Sequence, residues 1–284
     1  MSNKILVTGA TGNIGSALVQ ELNAASADFA VMTSKPGAVI AGVETRHGDF
    51  GSVESLTAAF SGIDIVFLLF PLVENKMELA RNAAAAATAA GVKHIVRSSG
   101  AGADASSTFA LPKLQGEIDD VLAATGIPVT LLRPAGFMQN YVTYQSQAIK
   151  DGTIYMADGA RAQSLIDARD IAAVAARVLV KPAAHAGKAY SLTGGDAFTG
   201  EQAAATISAA LGKPVVHVSV PTEAAVATMN QWGMSPFIVN MMDSLNQIIS
   251  AGYASGVSPD VQNILGRKPR TFAAFVDENV GAWR

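Results

Sequence analysis

The residues best suited to chemistry stand near the start of the chain. Gly9, Gly12 and Gly15 fall in Val7-Thr8-Gly9-Ala10-Thr11-Gly12-Asn13-Ile14-Gly15, with an apolar run before them (Lys4–Val7) and a helical pattern after them (Ile14–Asn23). A strand that turns tightly into a helix leaves backbone N–H groups and the positive end of the helix dipole facing outward, which is an anion site. In that setting GxxGxxG is the fingerprint of a loop that holds the pyrophosphate of a dinucleotide. Gly9 permits the turn. Gly12 removes the Cβ that would keep a pyrophosphate away, and Gly15 lets the helix pack close. Thr11, Gly12, Asn13 and Ile14 are therefore expected to line the phosphates.

Which dinucleotide is held depends on the end of the second strand. An NAD site places an acid there, about 20 residues beyond the glycines, to take the ribose hydroxyls. Here the sequence reads Met32-Thr33-Ser34-Lys35-Pro36, with Asp28 ahead of the strand and Glu44 well past it. Ser34 and Lys35 can instead hydrogen-bond and neutralise a 2′-phosphate, so the expected cofactor is NADPH rather than NADH. After the third strand, Asp49 and Phe50 can meet the adenine as acceptor and flanking ring. Asp49 before Gly51 and Ser52 reads equally well as a turn or helix-cap residue. Leu69, Phe70 and Pro71 follow the fourth strand and are expected on the nicotinamide side. Ser98 and Ser99 end the fifth strand, on the edge where ligands sit in such sheets, and Ser99 is taken as a cofactor contact.

These positions need a scaffold, and the chain's rhythm supplies one. Strands are expected at Lys4–Val7, Phe29–Met32, Thr45–Gly48, Ile65–Phe70, His94–Arg97, Val129–Leu132 and Ala189–Leu192, with helices near Ile14–Asn23, Ser52–Phe60, Lys76–Ala90, Lys113–Thr125 and Asp170–Val180. The alternation predicts an α/β fold: a Rossmann-type doubly wound parallel sheet with a smaller mixed, mostly helical C-terminal cap. The alanine tract Asn82–Ala90 reads as a helix lying close against the sheet, ended by Gly91. After Pro134 a helix is expected over Phe137–Lys150, a short strand over Gly152–Ala157, and mostly helix from Thr222 on. The expected division is 1–134 with 164–196 for the dinucleotide domain, and 135–163 with 197–284 for the cap.

Composition excludes several alternatives. Of 284 residues 50 % are apolar and 15 % charged, which fits a packed core. A net charge of -3 offers no broad attraction for nucleic acid or an anionic membrane, so a phosphate must be held by local groups. With no cysteine, disulfides, thiolate metal sites and a cysteine nucleophile are absent. His47, His94, His185 and His217 show no metal-ligand or serine-activating spacing, so no metal is expected. The run Ile65–Val73 is too short to span a bilayer and the N-terminus lacks a signal-peptide pattern, which makes a cytoplasmic protein, monomer or homodimer, the expectation.

Longer stretches resemble the atypical short-chain dehydrogenase/reductases of the NmrA-like group, which includes quinone reductases of the second type, triphenylmethane reductase and flavin-free azo-dye reductases. The resemblance is carried by TGATGNIG (8–15), GVKHIVRSS (91–99), TGIPVTLLRPAGFMQNY (125–141), IDARDIAAVAA (166–176), YSLTGG (190–195) and ILGRKPRTFAAFVDEN (264–279). Ordinary short-chain dehydrogenases carry Tyr-x-x-x-Lys, whose lysine orients the nicotinamide ribose and whose tyrosine hands over a proton. The matching stretch here is Phe109-Ala110-Leu111-Pro112-Lys113. Lys113 is kept, and the resemblance makes it both the catalytic and a cofactor-binding residue. An i,i+4 pair with Glu117 is the competing reading. Phe109 cannot transfer a proton, which argues against alcohol–ketone chemistry.

The resemblance thus implies direct hydride transfer from NADPH, with no flavin, to a small conjugated acceptor: a quinone, an azo dye or a triarylmethane dye. Such acceptors spread the arriving charge themselves, so a dedicated acid is dispensable. Phe137, Asn140, Tyr141 and Trp232 are the expected substrate contacts, with Met229, Met234 and Phe237 as a roof or as ordinary cap core. Asp167, Arg169 and Asp170 are expected in helix-start and surface ion-pair contacts. A non-catalytic NAD(P)-binding redox sensor acting through a protein partner is the alternative.

Overall fold

The computed structural model describes residues 3–40 and 42–284. In chain order the strands are β1 (Ile5–Val7), β2 (Phe29–Thr33), β3 (Glu44–His47), β4 (Ile65–Leu68), β5 (His94–Ser98), β6 (Val129–Pro134), β7 (Thr153–Met156), β8 (Ala189–Leu192) and β9 (Val216–Ser219). The helices are α1 (Asn13–Ala24), α2 (Val53–Phe60), α3 (Lys76–Ala89), α4 (Ala110–Ala123), α5 (Asn140–Thr143), α6 (Ser146–Lys150), α7 (Ala168–Val180), α8 (Gly200–Leu211), α9 (Thr222–Gln231), α10 (Pro236–Ser250), α11 (Asp260–Leu265) and α12 (Phe272–Asn279). Two compact units result. One comprises Met1–Ser107, Pro112–Arg133 and Ile171–Ser191, the other Thr108–Leu111, Pro134–Asp170 and Leu192–Arg284.

The first unit is built on a seven-stranded parallel sheet in the order β3-β2-β1-β4-β5-β6-β8. The chain winds outward from β1 to β3, then returns to the centre and winds the other way from β4. The order therefore reverses between β1 and β4, which is where an open α/β sheet parts at its carboxyl edge to admit a ligand. β1 and β4 are buried along their whole length, so they read as unbroken apolar runs. Leu6, Val66, Leu68 and Ile95 pack with Leu56, Leu79, Ala80, Ala83, Ile118 and Leu122 of α2, α3 and α4. Small side chains do draw α3 against the sheet: Ala80, Ala83, Ala86 and Ala87 are fully buried. Gly91 ends that helix in the left-handed region at φ 70°.

α4 is fixed to the sheet by ions as well as by apolar packing. Arg97 of β5 is fully buried and paired with Asp119 of α4, itself 5 % exposed. The Arg97 guanidinium also donates to the Gln115 carbonyl (2.8 Å) and to Gln115 Oε1 (2.5 Å). The second Asp119 oxygen accepts from Ser99 Oγ and from Arg133 Nη2 of β6, both at 3.1 Å. Gly116 is the companion constraint, because a Cβ there would run into the Ala105 amide and the Asp104 backbone.

The second unit departs more from expectation. A single helix over Phe137–Lys150 does not form. Two short helices, α5 and α6, stand there, broken where the Tyr144 and Gln145 amides both turn back to the Asn140 carbonyl (3.0 and 3.1 Å). The β-branched pair Val142-Thr143 weakens the helix there, and the Thr143 hydroxyl back-bonds to the Gln139 carbonyl at 3.1 Å. The expected strand near Gly152–Ala157 forms as β7, and it pairs in parallel with β9. Neither β9 nor α8 was anticipated. α8 carries a reciprocal capping box between Thr199 and Gln202 and stops at Gly212, φ 67°. Its core gathers Tyr141, Ile154, Ile207, Phe272, Phe275 and the fully buried Trp283.

The segments 164–170 and 192–196 belong to this second unit rather than to the sheet unit. Ile166 bridges to Phe137, and the Ala135 amide donates to the Leu192 carbonyl at 2.9 Å. Asp167 and Asp170 are fully buried, not surface, residues. Burial raises the Asp167 carboxyl, but hydrogen bonds from the Arg169 side chain, the Arg169 amide and Gln139 outweigh it and leave it below the usual range. Asp170 holds Arg267 (2.7 Å), Arg270 and the Arg270 amide (2.6 Å), tying the C-terminal RKPR stretch down.

Removing one partner of a buried ion pair leaves its charge uncompensated. Asp119→Asn is expected to lower the unfolding free energy by about 3–5 kcal/mol in urea titrations, and Arg97→Met combined with Asp119→Leu to lose much less. A single-variant loss under about 1 kcal/mol would show that the cluster does not hold α4.

Candidate functional site

The carboxyl edge of β1 carries the glycine turn. Thr8 is buried, and its hydroxyl donates to the Phe67 carbonyl and accepts from the Leu69 amide, each at 2.9 Å. That one hydroxyl sets the loop after β4 beside the turn. Gly9 lies at φ 68°, and a Cβ on it would come within 3.0 Å of Leu69 Cδ2. Gly15 lies directly against the Gly9 carbonyl oxygen and Ala10 Cα, where no Cβ fits, so it packs the helix onto the turn itself. Gly12 is different: its nearest neighbour would be the Gly9 oxygen at 3.6 Å, and its backbone (φ -83°, ψ 176°) suits any residue.

Thr11, Gly12 and Asn13 are exposed, whereas the Ile14 side chain is buried and offers only its backbone N–H. No side chain caps α1, and the amides of Asn13, Ile14 and Gly15 have no partner among the described residues. Three free N–H groups on the positive end of a helix, with no Cβ at Gly12, fit a pyrophosphate.

Ser34 and Lys35 are exposed just past β2, and the Lys35 amide is fixed by Thr33 Oγ1 at 3.2 Å. The Lys35 ammonium has no partner among the described residues. Past β3, Asp49 makes the turn: its Oδ1 accepts from the Gly51 amide at 2.8 Å, and Ser52 caps α2 through the Ser55 amide at 3.1 Å. Phe50 and Phe70 meet at 5.0 Å between ring centroids, which joins the loops after β3 and β4. Pro71 beyond them is exposed.

Ser99 is committed to the Arg97–Asp119 cluster, so its hydroxyl is held rather than free. His94 is a core histidine. Its Nε2 lies 2.9 Å from Thr130 Oγ1, whose own hydrogen goes to the His185 carbonyl, so His94 is the donor. Burial, then the charge on His185, lowers it from its ordinary value. Lys113 is 54 % exposed on α4, and the expected pair with Glu117 stretches to 4.0 Å. A contact of that length between exposed groups is weak and leaves the ammonium available.

In the second unit Phe137 is half-buried, Asn140 is exposed at the head of α5, and Trp232 is 72 % exposed at the end of α9. Tyr141 differs from its expected substrate role. It is 3 % exposed and lies tilted against Phe272, ring centroids 4.9 Å apart, while its hydroxyl meets Met156 Sδ at 3.9 Å. Burial, then the Asp158 charge, pushes its phenol up. Met229 is buried, and Met234 is 39 % exposed. Phe109 packs edge-on against Tyr253, centroids 6.2 Å apart, a neighbour that no local spacing could announce.

Sequence reasoning also missed Lys76, the first residue of α3, which is 5 % exposed. Its signal was its register, since Lys76 shares a helical row with Leu79, Ala80 and Ala83. Burial, then nearby Arg97, pushes its ammonium down to about 8.

A glycine turn of this geometry on the switch point of a seven-stranded parallel sheet defines a Rossmann-type dinucleotide-binding fold, and the curated relatives make the chain an NAD(P)-dependent oxidoreductase. The NmrA-like family model matches residues 1–276, and the chain belongs to that family. It is 38% identical over 284 residues to an NAD(P)H azoreductase of Xenophilus azovorans, covering 98% of this chain and 99% of that protein. Among solved structures it superposes on an NADPH-dependent quinone oxidoreductase of Escherichia coli complexed with NADPH, with TM-score 0.87, 29% identity and coverage of 96% and 99%. It also superposes on the Citrobacter sp. triphenylmethane reductase complexed with NADP(H), with TM-score 0.85, 28% identity and coverage of 98% and 99%. No helix among the described residues is long and apolar enough to cross a membrane, and no group of three or more acidic or histidine side chains there is placed to hold a metal.

The two inner glycines separate by experiment. Gly15→Ala overpacks the turn and is expected to cost about 1–3 kcal/mol in chemical denaturation. Gly12→Ala should stay within about 0.5 kcal/mol of the parent while weakening NADPH binding at least tenfold by calorimetry. Unchanged affinity in Gly12→Ala would mean that no pyrophosphate approaches this turn.

Proposed function

We propose that the chain is an NADPH-dependent, flavin-free reductase that passes hydride to a conjugated acceptor, a quinone, an azo dye or a triarylmethane dye. The observation that carries the reading is the pairing of an open, uncapped glycine turn with a Phe109-x-x-x-Lys113 stretch: a place for the dinucleotide without the phenol that alcohol–ketone chemistry requires. The named activities of the relatives, on azo compounds, quinones and triphenylmethane dyes, support the acceptor class.

Each residue has a defined task. The Asn13, Ile14 and Gly15 amides take the pyrophosphate, and Ser34 with Lys35 takes a 2′-phosphate. Phe50 flanks the adenine beside Asp49, whose Oδ1 is engaged in its turn. Leu69, Phe70 and Pro71 bound the nicotinamide side, and Lys113 orients its ribose. When bound, the reduced nicotinamide supplies the hydride. Phe137, Asn140 and Trp232 offer flat and polar surface for the acceptor, while Tyr141, being buried, does not meet it. With no phenol at position 109, orientation and exclusion of water are what the protein contributes, and they suffice only for an acceptor that delocalises incoming charge.

Turnover is tested by following NADPH absorbance with quinones, azo dyes and triarylmethane dyes, with no flavin added. Oxidation in at least one acceptor class is expected. Tight NADPH binding without oxidation by any acceptor would sink the reductase reading and leave a redox sensor. For the cofactor, Lys35→Ala is expected to raise the Michaelis constant for NADPH roughly tenfold and that for NADH hardly at all. An equal change in both would show that Lys35 does not read the 2′-phosphate.

A further inference from the structure

We propose that Lys76 is the centre of a second oxyanion-binding point on the sheet unit, one that takes a phosphate or sulfonate group of a bound ligand. Three features of the structure meet there. The Lys76 side chain is 5 % exposed and makes no hydrogen bond or ion pair among the described residues. It starts α3, a helix of 14 residues whose N-cap, Asn75, makes no side-chain cap bond, and the Met77 amide in that first turn has no partner among the described residues. It also lies near Arg97, which adds like charge.

The surrounding charges do not balance. The one charge among the described residues that acts on Lys76 is Arg97 of β5, and the carboxylate beside Arg97, Asp119, already has both oxygens taken by Arg97, Ser99 and Arg133. Glu74, Glu78 and Arg81, on the segment that carries Lys76, are exposed, and no bond joins them to it. Among the described residues a buried cation is held without a counter-charge, on the positive end of a helix and beside a second cation. Each of those placements opposes the charge, and an oxyanion would relieve all of them together. The position suits a ligand as well. α3 follows β4, so its first turn lies at the carboxyl edge of the sheet, where parallel α/β sheets bind ligands. Two sources share this chemistry, the diphosphate of the dinucleotide and an anionic substituent on the acceptor.

The test compares wild type with Lys76→Met, which keeps an unbranched, flexible side chain one atom shorter and removes the charge. Calorimetry measures NADP+ and NAD+, which share the diphosphate, and spectral titration measures a matched pair of azo dyes with and without one sulfonate. None of these needs turnover, so failure here is distinct from failure of the reductase reading. If the diphosphate is the anion, both nucleotides weaken at least tenfold and to the same extent. If the acceptor supplies it, only the sulfonated dye weakens, and by a similar factor.

The wild type provides a check that does not depend on the variant folding. The free ammonium loses its proton near pH 8, so affinity for the oxyanion ligand is expected to be level below that pH. Above it, affinity falls by up to tenfold per pH unit until the pKa of the bound state is passed. Lys76→Met should show no such fall. Unchanged affinities for every probe in Lys76→Met, or a wild-type profile that is level from pH 7 to 10, would overturn the proposal.

Discussion

A single buried carboxylate, Asp119, organises the carboxyl edge of the sheet unit. It gathers Arg97 from β5, Arg133 from β6 and the Ser99 hydroxyl, while Arg97 reaches on to Gln115 of the same helix. Apolar contacts alone would let α4 slide along the sheet, since burial is non-directional. Charge-assisted hydrogen bonds fix its register, and the position of Lys113 follows. Gly116 completes the constraint by letting α4 touch the backbone at Asp104 and Ala105.

The same economy appears at the glycine turn. With a net charge of -3, the protein has no general field for phosphates, and what it presents locally are oriented backbone amides at the start of α1 and an exposed lysine after β2. Thr8 links that turn to the loop after β4 with two hydrogen bonds, and Phe50 meets Phe70 across the neighbouring loops. The local groups are rigid where they shape the site and free where they would meet a ligand. Ser99 and Asp49 belong to the first kind, and Lys35, Lys113 and the α1 amides to the second.

Most of the sheet unit was legible in the sequence because parallel strands buried on both faces announce themselves as apolar runs, and glycines announce the turns between them. The second unit was harder to read. β9 is mostly exposed, so its β-branched residues stood without a buried face to alternate against. α8 carries a local signal, the capping box of Thr199 with Gln202, but an alanine-rich run follows with little amphipathic contrast. Phe137–Lys150 has helical composition overall, but Val142-Thr143 and the Asn140 carbonyl divide it. Asp167 and Asp170 looked like surface charges because arginines stand close in sequence. Only the fold shows both carboxylates fully buried, with Arg267 and Arg270 brought in from the C-terminal stretch.

The sequence by itself determined the glycine turn, the succession of βα units, Ser34 and Lys35 after the second strand, and the absence of a tyrosine at position 109. These are properties of adjacent residues, set by backbone sterics, periodicity and side-chain chemistry. Tertiary structure alone decided that Ser99 is held by Asp119. It also decided that Tyr141 is core rather than surface, and that Lys76 is buried without a partner among the described residues. Each of those depends on what a distant part of the chain places within a few ångströms, and no spacing along one segment encodes the desolvation or the ion pairing that results.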